Sequence, residues 1–302
     1  MKGLARSGAS AEVLAELGAE PVRGDVLDLD ALAAAMRGCE VVYHAAGANA
    51  FCLRDPSPLF EVNVGGSENV VRAAAQAGVR RVVYTSSAAS LGEASGTIGS
   101  EGSAHRGWFL SDYERSKFEA EQAVFAAARE AGLEVISVNP ASVQGPGRAT
   151  GSAKLLLDFL NGRIPAVVDS QLSLVDIADC TEGHLLAGSR GMPGERYVLS
   201  GATLSVREGL ALLASVMGID RQVRTLPPWL ALTAATAVEA LGRVRRSSPR
   251  ICRELARTLI HGHAYDGSKA TRALGLRYTP VEETLRRTVE WWLEQGLVPR
   301  RP

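Results

Sequence analysis

The chain has 302 residues, 46% hydrophobic and 22% charged, the balance of a soluble globular protein long enough to bury one large core or two modest ones. Its 33 basic residues cancel its 33 acidic ones, so no global field attracts nucleic acid or an anionic membrane, which argues against a nucleic-acid function. Cys39, Cys52, Cys180 and Cys252 are scattered, without C-x-x-C or metal-ligand spacing, and read as reduced thiols of a cytoplasmic protein.

The N-terminus, Met1-Lys2-Gly3-Leu4-Ala5-Arg6, lacks the apolar run of a signal peptide. Leu4-Ala5 reads as the end of a strand, and residues 10–17 as a helix closed by Gly18. A short strand at Pro21-Val22-Arg23 ends at Gly24-Asp25. Residues 29–37 carry apolar positions at helical spacing, stopped by Gly38. Strand 40–44, helix 57–77, strand 80–85, helix 111–131 and strand 133–138 follow. Continuous runs such as Arg81-Val82-Val83-Tyr84 suit strands covered on both faces, so the alternation predicts an α/β doubly wound parallel sheet.

After Gly145-Pro146-Gly147 the alternation breaks. Residues 152–161, 176–189, 205–217 and 281–295 read as helices and 196–199 as a strand. The division expected is a nucleotide-binding part over residues 1–145 and a smaller substrate region over 146–302, partly interleaved with the sheet. The apolar stretch from Pro227 to Leu241 contains Glu239 and falls short of the roughly 20 residues that span a membrane. It reads as a buried or substrate-lining helix, with contact at a membrane surface as the alternative. The arginine-rich segment Arg243 to Arg250 reads as a solvated helix end or loop, with anion binding as the alternative.

Tyr113-Glu114-Arg115-Ser116-Lys117 is the most informative string. On a helix over 111–131, positions i and i+4 share a face, so the phenol and the ammonium are neighbours. A fixed positive charge lowers a phenol's pKa from about 10 toward neutral, which suits proton exchange with a carbonyl or alcohol oxygen. The chain has only four lysines and otherwise uses arginine as its cation, so an ammonium here answers a need for a compact donor. Upstream, Val82-Val83-Tyr84-Thr85-Ser86-Ser87 ends a strand in two hydroxyl residues, where ligands bind in open α/β sheets.

The strings VVYTSSAASLG, YERSKFEAE and VNPASVQGPG resemble the extended short-chain dehydrogenase/reductases (the NAD-dependent epimerase/dehydratase family). Within them, the chain is most similar to the dihydroflavonol-reductase-like and hopanoid-associated epimerase-like branch. RGDVLD at 23–28, VVYHAAG at 41–47, NVGGSENVVRAA at 63–74, SLVDIADCTEGHLLA at 173–187, GERYVLSG at 194–201 and the DGSKATRALGLRYTPVEETLRRTVEW tail extend the likeness to nearly the whole chain. The resemblance implies Ser87, Tyr113 and Lys117 as the catalytic trio, with Lys117 also binding the nicotinamide ribose; Ser87 matches better than Ser86 because it directly precedes Ala88-Ala89.

For the cofactor, the resemblance implies Asp25 and Val26 beside the adenine, and Ala45, Ala46 and Gly47 along the dinucleotide. It implies Asn63 as a support of the site, and Pro140 with Val143 as the wall beside the nicotinamide. Arg6 falls where a cation accommodates the 2′-phosphate of NADP, so NADP is expected ahead of NAD. It also implies a homodimer through helices 57–77 and 111–131, and Asp266, Ser268 and Lys269 as an anchor of the tail.

The chain departs from the family at its start: the strand and helix carrying a G-x-x-G-x-x-G loop, roughly 30 residues, do not precede what reads as the second strand. Gly96-Thr97-Ile98-Gly99-Ser100-Glu101-Gly102 matches that pattern but follows the catalytic strand without opening a helix. The expectation is either a native start further upstream or a second strand moved against the fourth, with weak cofactor binding by the 302 residues themselves. His261-Gly262-His263 has no acidic or cysteine partner nearby in sequence and reads as a loop or helix end rather than a metal site. His44 and His184 read as satisfied interior side chains, and Trp291 and Trp292 as core cover.

The function expected is an NAD(P)-dependent oxidoreductase interconverting a carbonyl and a secondary alcohol on a small apolar substrate. The alternatives are a nucleotide-sugar epimerase with the same trio, or a non-catalytic binding or regulatory protein that has lost its grip on the cofactor. A dehydratase fits less well, because Ser87-Ala88-Ala89-Ser90 lacks an acidic pair.

Overall fold

The computed structural model describes residues 1–245, 249 and 251–299. Strands β1 (Lys2–Ala5) and β2 (Glu20–Arg23), joined by helix α1 (Gly8–Glu16), pair in parallel as a separate two-stranded sheet. Helix α2 (Leu29–Met36) leads to β3 (Val41–His44). Next come α3 (Ser57–Phe60), a π turn at Glu61–Gly65, α4 (Gly66–Gln76), β4 (Arg81–Thr85), a 3-10 turn at Ala88–Leu91 and the short β5 (Ile98–Gly99). Helix α5 (Asp112–Ala131) and strands β6 (Glu134–Pro140) and β7 (Ser142–Gln144) complete the first half. Helix α5 starts where Ser111 accepts from the Glu114 amide and stops at Gly132, whose left-handed backbone (φ 64°) closes the last turn.

The second half holds α6 (Ala153–Leu160), β8 (Ala166–Val167), β9 (Gln171–Asp176), α7 (Ile177–Arg190), β10 (Arg196–Leu199), β11 (Ala202–Ser205), α8 (Val206–Met217) and β12 (Arg224–Thr225). It ends with α9 (Pro228–Val244), α10 (Arg253–His261), β13 (Ala264–Tyr265), α11 (Ser268–Leu274) and α12 (Val281–Glu294). The main sheet is parallel in the order β10-β6-β4-β3, so a strand of the second half completes it. A second sheet runs β11-β9-β7, and β13 pairs with β5.

Alternation along β4 explains its uninterrupted apolar sequence. Val82 and Tyr84 face a core with Val70, Ala120 and Val124 from α4 and α5. Val83 faces the opposite core with Ile136, Val138, Leu199 and Leu274. Each such side chain, fully buried, contributes about 1.5–3 kcal/mol. A third core packs α6, α8 and α12 around Trp292, while Trp291 is only partly covered.

Five expectations change. The helix over 57–77 is divided by the π turn, which aims Asn63 inward. The second strand has not moved against the fourth: β1 pairs with β2, and β3 pairs with β4 alone among the described residues. Cys52 and Cys252 form a disulfide across 200 residues of sequence, whereas Cys39 and Cys180 are free; the fold brings the loop after β3 to the start of α10. Helix α9 is not buried as a whole: Ala235 and Gly242 are covered, while Trp229, Leu230, Val238, Leu241 and Val244 face outward. No described helix is long and apolar enough to cross a membrane. Of Arg243–Arg250, the Arg243 side chain, residues 246–248 and Arg250 lie outside the described residues. The fifth change concerns Tyr113 and is taken up with the site.

Candidate active site

Strand register assembles the site. His44 lies beside Tyr84, Tyr84 beside Ser137, and Pro140 beside Leu199. The Ala45–Gly47 turn, Ser86-Ser87 and Pro140 therefore leave the sheet at the same carboxyl edge, the side on which such sheets bind ligands. Helix α5 crosses this edge and presents Tyr113 and Lys117 one turn apart.

The structure brings Ser87 and Tyr113 together: the Ser87 hydroxyl is close enough to the phenol to oppose the rise in its pKa. Ser87 caps the 3-10 turn by accepting from the Ala89 amide at 3.3 Å, whereas Ser86 is buried and turned to Ser90 at 3.3 Å. Ser87, not Ser86, faces the phenol. Burial raises the Tyr113 pKa above its usual 10.0, opposed by the nearby Ser87 hydroxyl and by the Arg148 charge. This corrects the expected lowering by Lys117. The Lys117 ammonium donates to the Thr85 carbonyl at 2.9 Å and lies 5.1 Å from the centre of the Tyr84 ring, so it is directed at the strand end. Its own burial lowers its pKa from 10.5 to about 8, against the raising influence of Glu121.

Asn63 ties the floor together. It accepts from the Ala48 amide at 2.7 Å and donates to the Ala48 carbonyl and to the Ser116 hydroxyl, each at 2.9 Å. A Cβ at Gly47 would lie 3.3 Å from the Asn63 carbonyl oxygen and 3.9 Å from the Lys117 nitrogen, so the turn after β3 packs closely on both.

A buried network that the sequence did not single out fixes Ser87 from behind. Glu121, one turn beyond Lys117, accepts from Ser137 at 2.9 Å, Asn139 at 2.7 Å and Arg196 at 3.1 Å. Asn139 in turn donates to the Ser87 carbonyl at 3.2 Å. The i,i+4 spacing of Lys117 and Glu121 was a usable signal; the strand partners were not. His184 bonds the Thr85 hydroxyl at 2.9 Å and the Cys180 carbonyl at 2.7 Å, and His44 bonds Ser67 at 2.9 Å.

The other residues assigned to a cofactor are placed differently. Arg6 and Asp25 sit at the tips of β1 and β2, 3.7 Å apart, Arg6 largely in solvent and Asp25 half-covered. Ala45, Ala46 and Gly47 are exposed, whereas Val26 is a core residue packed on Gly66. Pro140 is buried at the end of β6, and Val143, in β7, is partly covered by the same core. A nicotinamide ribose fits this donor set: an ammonium has three protons, and Lys117 places one on Thr85 beside the close-packed Gly47 turn. Gly96–Gly102 is occupied with β5, and no G-x-x-G-x-x-G turn opens a helix among the described residues. A cavity of about 570 Å³ lined by Phe118, Gln122, Phe125 and Arg196 does not include the trio.

Residues 3–200 match the NAD dependent epimerase/dehydratase family. The chain belongs to that family. A provisionally named dihydroflavonol 4-reductase of Synechocystis sp. is 32% identical over 99% of this chain and 89% of its own length. Sterol demethylase protein B of Methylococcus capsulatus is 33% identical over 93% and 87%. Among solved structures, a dTDP-glucose 4,6-dehydratase of Streptomyces venezuelae with NAD bound superposes with a TM-score of 0.76 at 25% identity, covering 95% of this chain and 84% of that one. The family's chemistry is that of NAD(P)-dependent enzymes on small molecules, carried by a parallel-sheet α/β fold of the Rossmann kind.

Proposed function

We propose that this protein is an NADP-dependent reductase or dehydrogenase that interconverts a carbonyl and a secondary alcohol on a small, largely apolar substrate. The observation that carries the reading is the juxtaposition of Ser87 and Tyr113 at the carboxyl edge of the sheet, with the Lys117 ammonium one helical turn away and bonded to the Thr85 carbonyl. A bound nicotinamide cofactor supplies the hydride for the carbonyl carbon. Ser87 holds the substrate oxygen and Tyr113 gives it a proton. The raised phenol pKa keeps Tyr113 protonated at neutral pH, the state that reduction requires. Lys117 and the Gly47 turn hold the ribose, Pro140 and Val143 flank the ring, and Arg6 meets the 2′-phosphate. Residues 1–145 form the cofactor part in this reading and 146–302 the substrate part. The apolar preference draws on the names of the two curated relatives, which refer to a dihydroflavonol and a sterol.

The test is oxidation of NADPH and of NADH against a panel of ketones and aldehydes, by the chain and by Tyr113→Phe. The substitution is expected to cost about 10²–10⁴ in turnover with an unchanged melting temperature; equal turnover by the two proteins sinks the reading. A nucleotide-sugar epimerase uses the same trio, and the likeness to the dTDP-glucose dehydratase favours testing it. Conversion of a UDP- or dTDP-sugar without net NADPH consumption would select it. The proposal also includes a homodimer through α4 and α5, read by light scattering.

A further inference from the structure

Outside the trio, two clusters among the described residues gather side chains of metal-binding type; in one, Cys52 and Cys252 beside Glu254 are joined as a disulfide, and the other surrounds the buried Glu93. His261 ends α10, and His263 follows after Gly262. Gly262 has φ +64°, and a Cβ there would stand 2.7 Å from the Gln171 amide nitrogen. His263 donates its amide to the Gln171 carbonyl at 2.7 Å, and its own carbonyl accepts from Ser173 at 3.2 Å. The His-Gly-His bend is thus pinned to β9, and its two rings sit with centroids 5.3 Å apart. Both reach Glu93, which lies past the 3-10 turn that Ser87 caps. Nε2 of His261 is 3.5 Å and Nδ1 of His263 is 2.7 Å from the same Glu93 oxygen, Oε1. Glu93 is only 2% exposed, and its other oxygen, Oε2, has no hydrogen-bond partner among the described residues.

We propose that Glu93, His261 and His263 form a site for a divalent transition-metal ion, zinc by the chemistry of its donors. Two imidazoles and one carboxylate are a three-residue zinc set that leaves a fourth position. Zinc-to-donor distances of roughly 2.0–2.2 Å place tetrahedral donors about 3.4 Å apart. One ligand atom from each of the three residues already lies within 4.8 Å of the others, so side-chain rotation suffices without backbone movement. Rotation also brings the unpartnered Oε2 into play. The Tyr265 hydroxyl, 3.0 Å from His263 Nδ1, or a water completes the coordination. The surrounding charges permit it: the Arg106 guanidinium donates to the Glu114 carboxylate and, of Glu93, meets the backbone carbonyl at 3.1 Å rather than the carboxylate.

Such an ion joins the loop beyond Ser87, the end of α10 and the start of β13. Its role is to hold the C-terminal segment against the catalytic strand, independently of the oxidoreductase reading. The test uses the full chain, oxidised so that Cys52, Cys252 and Glu254 do not compete, with zinc chloride or cobalt chloride as the only probe. Zinc is expected at one equivalent per chain by elemental analysis after dialysis, raising the melting temperature. Cobalt is expected to give the intense visible bands of four-coordinate nitrogen–oxygen ligation. Glu93→Gln, which keeps the side chain's shape, and His263→Gln should each weaken binding by tenfold or more. Should those variants unfold, histidine ring nitrogen resonances of the unaltered chain decide, since zinc must shift His261 and His263 while leaving His44 and His184 in place. Absence of zinc from the unaltered chain, or equal binding by Glu93→Gln, overturns the site.

Discussion

The two ends of the candidate cofactor track are built in different ways. At the β4–α5 end, Lys117, Asn63, Glu121 and Asn139 are all buried, and each bonds to at least one other element. At the β1–β2 end, Arg6 and Asp25 meet only as an exposed pair at 3.7 Å, on a two-stranded sheet separate from the main one. The β4–α5 end is therefore shaped by the core before any ligand arrives, whereas the far end offers Asp25, held by the Leu27 amide at 3.1 Å, and an Arg6 side chain that is mostly solvated. In the proposed function, catalysis needs fixed geometry and recognition at the far end tolerates adjustment, so the difference matches what that reading asks of each end.

The largest effect is expected where the rigid end is opened. Glu121→Ala removes the acceptor of Ser137, Asn139 and Arg196 and leaves the Arg196 charge partly buried without its partner. Breaking a pair of this kind costs about 3–5 kcal/mol, readable in urea unfolding. Turnover should fall as well, because Asn139 no longer fixes the Ser87 carbonyl. A variant with ordinary stability and activity would show that the network does not build the site.

Next comes the strap over the same end. The Cys52–Cys252 disulfide and Glu254, which accepts from the Cys52 and Asp112 amides, tie α10 to the loop after β3 and to the first turn of α5. Phe51, beside Cys52, packs 5.6 Å from the Tyr113 ring. Cys52→Ser is expected to lose about 2–4 kcal/mol. Dithiothreitol should lower the melting temperature of the parent chain and leave that of the variant unchanged; equal responses would show that the bond does not stabilise the fold.

The sequence made the rigid end largely readable and the strap unreadable, for one physical reason. Tyr113, Lys117 and even Glu121 are related by helical spacing, and Ser87 by its place at the end of an apolar strand, so local periodicity carries them. Cys52 meets Cys252 across 200 residues, and Glu93 meets His263 across 170, so only the folded topology pairs them. Local pattern also misleads. Pro227–Leu241 reads as buried or substrate-lining because it is apolar, yet composition does not say what covers a helix, and α9 presents Trp229 and Leu241 outward. The Tyr113 pKa follows the same rule: spacing brings the ammonium near, but burial raises the phenol and the Thr85 carbonyl accepts the Lys117 hydrogen bond.

Lys117 gives a smaller effect with opposite signs in two measurements. Its pKa is lowered to about 8 from the 10.5 of the unfolded chain, so between those values the unfolded state binds the extra proton. Stability from this residue therefore increases as pH rises through that window, and the full cost of the buried charge is present below it. Reduction should instead decline about tenfold per pH unit above the lower value, as the ammonium is lost. Comparing the parent with Lys117→Met isolates both trends. A pH-rate profile flat to pH 10 would show that the ammonium is not needed.

The exposed end should give the smallest change, and one that salt can erase. A 2′-phosphate carries about two negative charges and can take Arg6 from Asp25, whereas the bare hydroxyl of NADH offers the guanidinium no comparable partner. Arg6→Ala is thus expected to reduce the preference for NADPH over NADH by about tenfold at low ionic strength, the size of one charge-assisted contact. The reduction should shrink in high salt, since the Arg6 side chain is 72% exposed. Removing the competing carboxylate with Asp25→Asn should move the ratio the other way. Titration of both cofactors at two salt concentrations measures it. A ratio unmoved by either substitution would leave the choice between NADP and NAD to residues other than the charged tips of β1 and β2.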